Sequence, residues 1–114
     1  MRILVCGGRD FTDAQLLNRT LDEQHARNPI TLLIHGNARG ADLLADEWAF
    51  SRIVKTKRFQ ADWIRHKNSA GPIRNKQMLV EGKPDLVIAF RGGAGTSDMM
   101  TQARHAGVEV REIR

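Results

Sequence analysis

Gly92-Gly93-Ala94-Gly95-Thr96 places three glycines and a hydroxyl side chain within five residues, with Arg91 just before and Asp98 just after. The chemistry that such a stretch supports is the holding of an anion. Glycines accept φ > 0 and let a ligand come close to the backbone. The stretch follows Asp85-Leu86-Val87-Ile88-Ala89-Phe90, an apolar run of strand formers, and precedes a segment with helical character. The first amides of a helix have no partner inside it, and its dipole adds a partial positive charge at that end. Gly92, Gly93, Gly95 and Thr96 are therefore candidate phosphate ligands. Arg91 adds a full charge, and Asp98 is the carboxylate on this loop able to stabilise a ribosyl cation or activate water.

A single glycine-rich loop can serve only to reverse the chain, so the elements around it decide the reading. Arg2-Ile3-Leu4-Val5-Cys6 reads as a first strand ending in Gly7-Gly8-Arg9. Thr12 or Asp13 can cap a helix that carries Leu16, Leu17, Thr20 and Leu21 at helical spacing and stops at Asn28-Pro29. Ile30–Ile34 is a nearly continuous apolar run, as expected of a strand covered on both faces. It leads into a second loop, His35-Gly36-Asn37-Ala38-Arg39-Gly40-Ala41-Asp42. A helix over about 41–52 follows, with Leu43, Leu44, Trp48 and Ala49 turned inward. Val54–Phe59 is a charged strand suited to a sheet edge. The connection over 60–71 is long enough to be functional. It leads to a helix with Pro72 in its first turn and Ile73, Met78, Leu79 and Val80 as its apolar residues. A helix from about Thr96 to His105 closes at Gly107, and Val108–Ile113 alternates as a last strand.

Strands that alternate with helices imply right-handed crossovers and a parallel sheet. The expected architecture is α/β: one doubly wound, three-layer domain over 1–114, with a five-stranded parallel sheet in the order 3-2-1-4-5. The switch point then lies between strands one and four. Loops 7–13, 35–42 and 91–98 meet there at the carboxyl edge, which favours a ligand site over three independent turns.

Composition sets the limits. The chain has 114 residues, 41% of them hydrophobic and 27% charged, as in ordinary soluble domains. No apolar run approaches the ~20 residues that span a bilayer, so no membrane partner is expected. The single cysteine, Cys6, allows no internal disulfide; it suits space-filling in a strand and a cytoplasmic setting. A net charge of +5 points to an anionic partner, whether nucleotide, phosphate or nucleic acid. Six aromatics and no tyrosine argue against a surface that stacks successive bases of a single strand. No His/Cys/Asp cluster has metal spacing, so neither metal nor cofactor is expected.

Five separated blocks carry a family resemblance: Gly7-Gly8-Arg9-Asp10-Phe11; His35-Gly36-x-Ala38-x-Gly40-Ala41-Asp42; Ala61-Asp62-Trp63; Ala70-Gly71-Pro72-x-Arg74-Asn75-x-x-Met78; and Gly92-Gly93-x-Gly95-Thr96. Together they resemble the YspA-like, cpYpsA-related branch of the SLOG superfamily, which also includes the LOG phosphoribohydrolases and the DNA-processing protein A group. The resemblance implies a Rossmann-like fold that binds nucleotides or nucleotide-derived ligands. It also implies a homo-oligomer, since LOG relatives are dimers. LOG enzymes cleave the bond between a base and ribose 5′-monophosphate through Pro-Gly-Gly-x-Gly-Thr-x-x-Glu. Here Arg91 stands at the proline position and Met99 at the glutamate position. Asp98 is rotated from it by about 100° on a helix.

The LOG Arg-Lys pair corresponds to Arg74 and Asn75. Arg74 suits bidentate contact with a phosphate or a ribose oxygen. Arg9 faces the crevice, where a structural ion pair is the competing role. Asp42 suits a ribose hydroxyl or a helix cap, beside Gly36 and Gly40. Trp63 suits stacking on a base or anchoring its loop. His35 suits a hydrogen-bonded strand end better than catalysis. The leading expectation is a nucleotide sensor or sequestering protein. A nucleotide N-glycosidase using Asp98 or Asp62 is the alternative, and a DNA-binding accessory protein the third.

Overall fold

The computed structural model describes all residues from Met1 to Arg114. The elements are β1 (Arg2–Cys6), α1 (Ala14–Arg27), β2 (Leu32–His35), α2 (Ala41–Ser51), β3 (Thr56–Arg58), α3 (Trp63–His66), a 3₁₀ turn (Lys67–Ser69), α4 (Ala70–Gly82), β4 (Leu86–Ala89), α5 (Ala94–His105) and β5 (Glu109–Glu112). The sheet has five strands in the order β3-β2-β1-β4-β5, and every pairing is parallel. This is the doubly wound, Rossmann-like α/β arrangement expected from the alternation of strands and helices.

Each sheet face carries its own apolar layer. Ile3, Val5, Leu33 and Ile88 pack under α1 and α2 with Leu17, Leu21, Ala45 and Trp48. Leu4, Cys6, Ile34 and Val87 pack under α4 and α5 with Met78, Met99 and Ala103. Alternate residues of β1 thus serve opposite layers, which is why its sequence reads as unbroken apolar residues. Trp48 is buried in the first layer, and its indole N–H donates to Asp22 at 2.9 Å.

Several local expectations hold. Asp13 caps α1, its carboxylate accepting the Leu16 amide at 3.0 Å. Gly107 closes α5 at φ +77°. The edge strand β3 exposes Lys57 and Arg58.

Others need correction. The connection over 60–71 is not one loop; it holds α3, the 3₁₀ turn and the first residues of α4. The Asp62 carboxylate nucleates α3 by accepting the Arg65 amide at 3.1 Å, a local bond that hydrophobic periodicity does not register. Leu43, expected inward, is 42% exposed, because Asp42 and Ala45 take the inward face of α2. Ile73 and Val80 also face outward, whereas Asn75 and Met78 are buried. The α5 helix begins at Ala94, so Gly95 lies inside its first turn. No helix is long and apolar enough to cross a membrane.

Candidate functional site

The chain divides at the carboxyl edge of the sheet. β1 leads to α1 on one face, and β4 leads to α5 on the other. Between them opens a crevice of about 570 Å³. Its lining includes Gly7, Gly8, Arg9, Asp42, Trp63, Arg74, Asn75, Gly92, Gly93, Gly95 and Thr96. Eleven of the fifteen residues singled out in the sequence therefore share one cavity. Gly36 lines a smaller adjoining chamber of about 280 Å³, together with Arg9, Trp63 and Arg74. Gly40, Asp62 and Asp98 stand apart from the crevice lining.

The glycines do different jobs. None of Gly92, Gly93 and Gly95 uses φ > 0; Gly40 and Gly107 are the glycines that do. At Gly92 the requirement is closeness. A Cβ there would stand 2.6 Å from the Gly8 nitrogen and would clash with the Thr96 hydroxyl. The Gly8 amide donates to the Arg91 carbonyl at 2.9 Å, which ties the β1 and β4 loops together. Gly40, at φ +87°, lies against the Gly8 carbonyl, and a Cβ on Gly7 would meet Ala41 at 2.6 Å. Gly8, Gly40 and Gly92 thus let three loops touch backbone to backbone. Gly93 and Gly95 have nothing within 4 Å of where a Cβ would point. They open the N-terminal end of α5 to the crevice. The first α5 amide with a partner in the helix is that of Ser97, which donates to Gly93 O at 3.0 Å. The amides of Ala94, Gly95 and Thr96 precede it and have no helical carbonyl to reach.

A polar network on the α4 side holds this opening in shape. Arg74 donates through Nη1 to Gly36 O at 2.6 Å and through Nε to Asn75 Oδ1 at 3.2 Å. Asn75 Nδ2 donates to Gly95 O at 3.2 Å and to Asp98 Oδ2 at 3.0 Å. Gln102 Nε2 donates to the same Asp98 oxygen at 2.8 Å. Asn75 therefore positions the α5 terminus and leaves Arg74 with its Nη2 edge free. Asp98 serves as an acceptor inside this network.

Asp42 does not cap α2. The residue at the cap of that helix is Gly40, which has no side chain to bond its first amides. Instead Asp42 Oδ2 accepts the amides of Gly36 at 3.0 Å and Ala38 at 3.2 Å, fixing the β2–α2 loop. Burial raises its pKa, against the pull of the Ala38 amide, His35 and Arg74. Burial likewise lowers the Arg74 pKa, with Asp42 opposing. Cys6 lies at the crevice floor, and burial pushes its thiol far up, so it stays protonated and fills space.

His35 is structural, as its position at a strand end suggests. Its Nδ1 accepts the Asn37 amide at 3.0 Å, and its Nε2 bonds Asp46 at 2.8 Å. Arg9 makes no ion pair; its guanidinium stands 5.3 Å from the Trp63 ring centroid and bridges β1's loop to α3 across the crevice. Trp63 is 47% exposed. Three arginines, Arg9, Arg74 and Arg91, thus line the crevice against two carboxylates, Asp10 and Asp42. The site can accept an anion on open amides, surround it with guanidinium groups and offer a flat aromatic wall beside it.

Residues 1–66 match the model of the YAcAr family, described as the YspA, cpYpsA-related SLOG family. The chain is 36% identical to the Gene 61 protein of Mycobacterium phage D29 over 117 residues, covering 96% of this chain and 93% of that protein. Its fold is similar to that of DNA processing protein A from Streptococcus pneumoniae. The TM-score is 0.78 and the identity 18%, over 99% of this chain. The chain spans half the length of that larger protein.

Proposed function

The chain belongs to the YspA, cpYpsA-related SLOG family, and we propose that it binds a nucleotide or nucleotide derivative at the carboxyl edge of its sheet. In this reading the phosphate sits on the amides of Ala94, Gly95 and Thr96. Gly93 and Gly95 leave room for it, and Arg9, Arg74 and Arg91 balance its charge. Asn75 and Asp42 hold the loops that form the seat. Trp63 gives up its contact with Arg9 and stacks on the base, while Gly7, Gly8, Gly36 and Gly40 allow the loops to close on one another.

One observation carries this reading. The open end of α5 and three arginines without a carboxylate partner line the same crevice. An anion on a helix N-terminus among guanidinium groups is favoured by dipole, hydrogen bonds and charge together.

The carboxylates support binding without turnover. Met99, at the position of the LOG glutamate, is fully buried in the core. Asp98 is held by Asn75 and Gln102, and Asp62 caps α3. A hydrolase would have to release one of them. The experiment is a panel of nucleoside mono-, di- and triphosphates and cyclic nucleotides, read by thermal shift and by chromatography of free base. A shift without base release fits a sensor or sequestering protein. Released base would instead establish a nucleotide N-glycosidase, and Asp98→Asn and Asp62→Asn would then identify the carboxylate.

A second reading rests on the fold likeness to a protein named for DNA processing, together with the net charge of +5. It predicts DNA affinity that falls steeply with salt, roughly in proportion to the number of phosphates contacted.

A further inference from the structure

Away from the crevice, α2 and α5 end in the same way but with different residues. At α5 the Gly107 amide donates to Arg104 O at 3.1 Å and the Val108 amide to Ala103 O at 2.9 Å. At α2 the Ile53 amide donates to Phe50 O at 3.3 Å and the Val54 amide to Ala49 O at 2.8 Å. Such a pair of closing bonds needs a left-handed turn residue, a role that glycine fills without steric cost. Gly107 has φ +77° and Ile53 has φ +57°. A β-branched side chain in that conformation is an outlier. The core gives Ile53 nothing in return. It is 94% exposed, while Val54 beside it packs against the first apolar layer. Phe50 is 86% exposed. It lies one helical turn beyond Asp46, whose carboxylate reaches Arg58 of β3 at 3.0 Å. Phe50 therefore stands on the side of α2 that faces the β3 edge of the sheet.

That edge is open. The Lys55 carbonyl accepts the Leu33 amide at 2.8 Å, and the Phe59 amide donates to His35 O at 2.9 Å. Residues 55, 57 and 59 thus turn their backbone groups towards β2, and Thr56 and Arg58 turn theirs outward. Lys55 and Lys57 are exposed and make no ion pair. The opposite edge differs, since Glu112 of β5 is paired with both Arg104 and Arg114. Two copies joined along β3 would bring like charges onto one ribbon, which disfavours self-pairing. We infer that the β3 edge is a docking surface for an extended acidic segment of another protein, added to the sheet as a sixth strand. Its backbone pairs with Thr56 and Arg58. Its alternate side chains meet two different surfaces. Those on the α2 side are apolar and cover Phe50 and Ile53. Those on the other side are carboxylates that meet Lys57, whose Nζ stands over the Phe59 ring of the second apolar layer.

The test is selection from a displayed library of random short peptides against the immobilised full chain, followed by NMR titration of the enriched peptides. Peptides that alternate apolar residues with Asp or Glu are expected, and they should shift the Thr56 and Arg58 amides. Ile53→Gly and Lys57→Glu should each weaken their binding by about tenfold. Ile53→Gly should also unfold at a higher denaturant concentration than wild type, which separates a lost contact from a damaged fold. If no acidic peptide is enriched, the inference fails. It fails equally if the enriched peptides leave Thr56 and Arg58 unmoved, or bind Ile53→Gly as well as wild type. An Ile53→Gly chain less stable than wild type would assign Ile53 to the fold itself and contradict the inference. Sedimentation of the chain alone and flotation with phosphatidylglycerol vesicles address two other occupants. A dimer, or vesicle binding, that Ile53→Gly abolishes would overturn the inference in favour of a second copy or a lipid surface.

Discussion

Gly93 and Gly40 are both glycines at the sheet edge, yet their environments demand opposite outcomes. At Gly93 a Cβ points into open space, with no atom within 4 Å. Gly93→Ala should change stability by no more than about 0.5 kcal/mol, the range for surface sites. It should still weaken nucleotide binding by about tenfold, because the methyl group enters the space proposed for the phosphate. Gly40 combines φ +87° with close approach to the Gly8 carbonyl. Gly40→Ala should therefore cost about 1–3 kcal/mol or more in denaturant unfolding. Arg74 has both roles. Arg74→Lys keeps the charge but loses the fork that reaches Gly36 O and Asn75 Oδ1. It should lower phosphate affinity while adenosine binding changes little, a difference that calorimetry with AMP and adenosine reads directly.

At the scale of elements, two side chains carry the hydrogen bonds that join α4 to α5: Gln102, which donates to Pro72 O at 3.1 Å, and Asn75. Asn75 is 3% exposed and donates to both Gly95 O and Asp98. Asn75→Leu removes the donor that the part-buried Gly95 carbonyl and Asp98 carboxylate share, at a cost of about 1–3 kcal/mol. Amide exchange should accelerate first in the opening turn of α5. Much of this layer was legible in the sequence. Unbroken apolar residues in β1 and β4 gave away strands covered on both faces. Asp13 and Gly107 marked the ends of helices. The α3 turn was not legible, because its four residues are held by the Asp62 side chain and carry no buried residue. Leu43 misled for a related reason. Polar Asp42 takes the inward position to bind two loop amides, a tertiary demand that overrides apolar spacing.

For the whole molecule, the acid response follows from which carboxylates are paired. Hydrogen bonds from Arg52, and from Arg58 and His35, hold Asp22 and Asp46 below the ordinary carboxylate range. Their folded pKa values lie under the unfolded ones. The stability they add is complete above about pH 4–5 and is lost as pH falls through the folded values. Asp42 has the opposite sign, because burial raises its pKa and protonation relieves that cost. Stability should therefore decline on acidification with a slope that Asp46→Asn reduces and Asp42→Asn does not. Three loops from three strands meet at one edge only because the sheet is doubly wound. In the proposed reading, that meeting is what turns a glycine-rich stretch into a seat for an anion. The most direct test is a ¹H–¹⁵N NMR titration of the full chain with AMP. Saturable shifts are expected at the amides of Ala94, Gly95 and Thr96, with Arg74 Nε and the Trp63 indole N–H moving at the same midpoint. If those amides stay unmoved while AMP binds, or if AMP leaves the whole spectrum unchanged, the phosphate seat at α5 is contradicted.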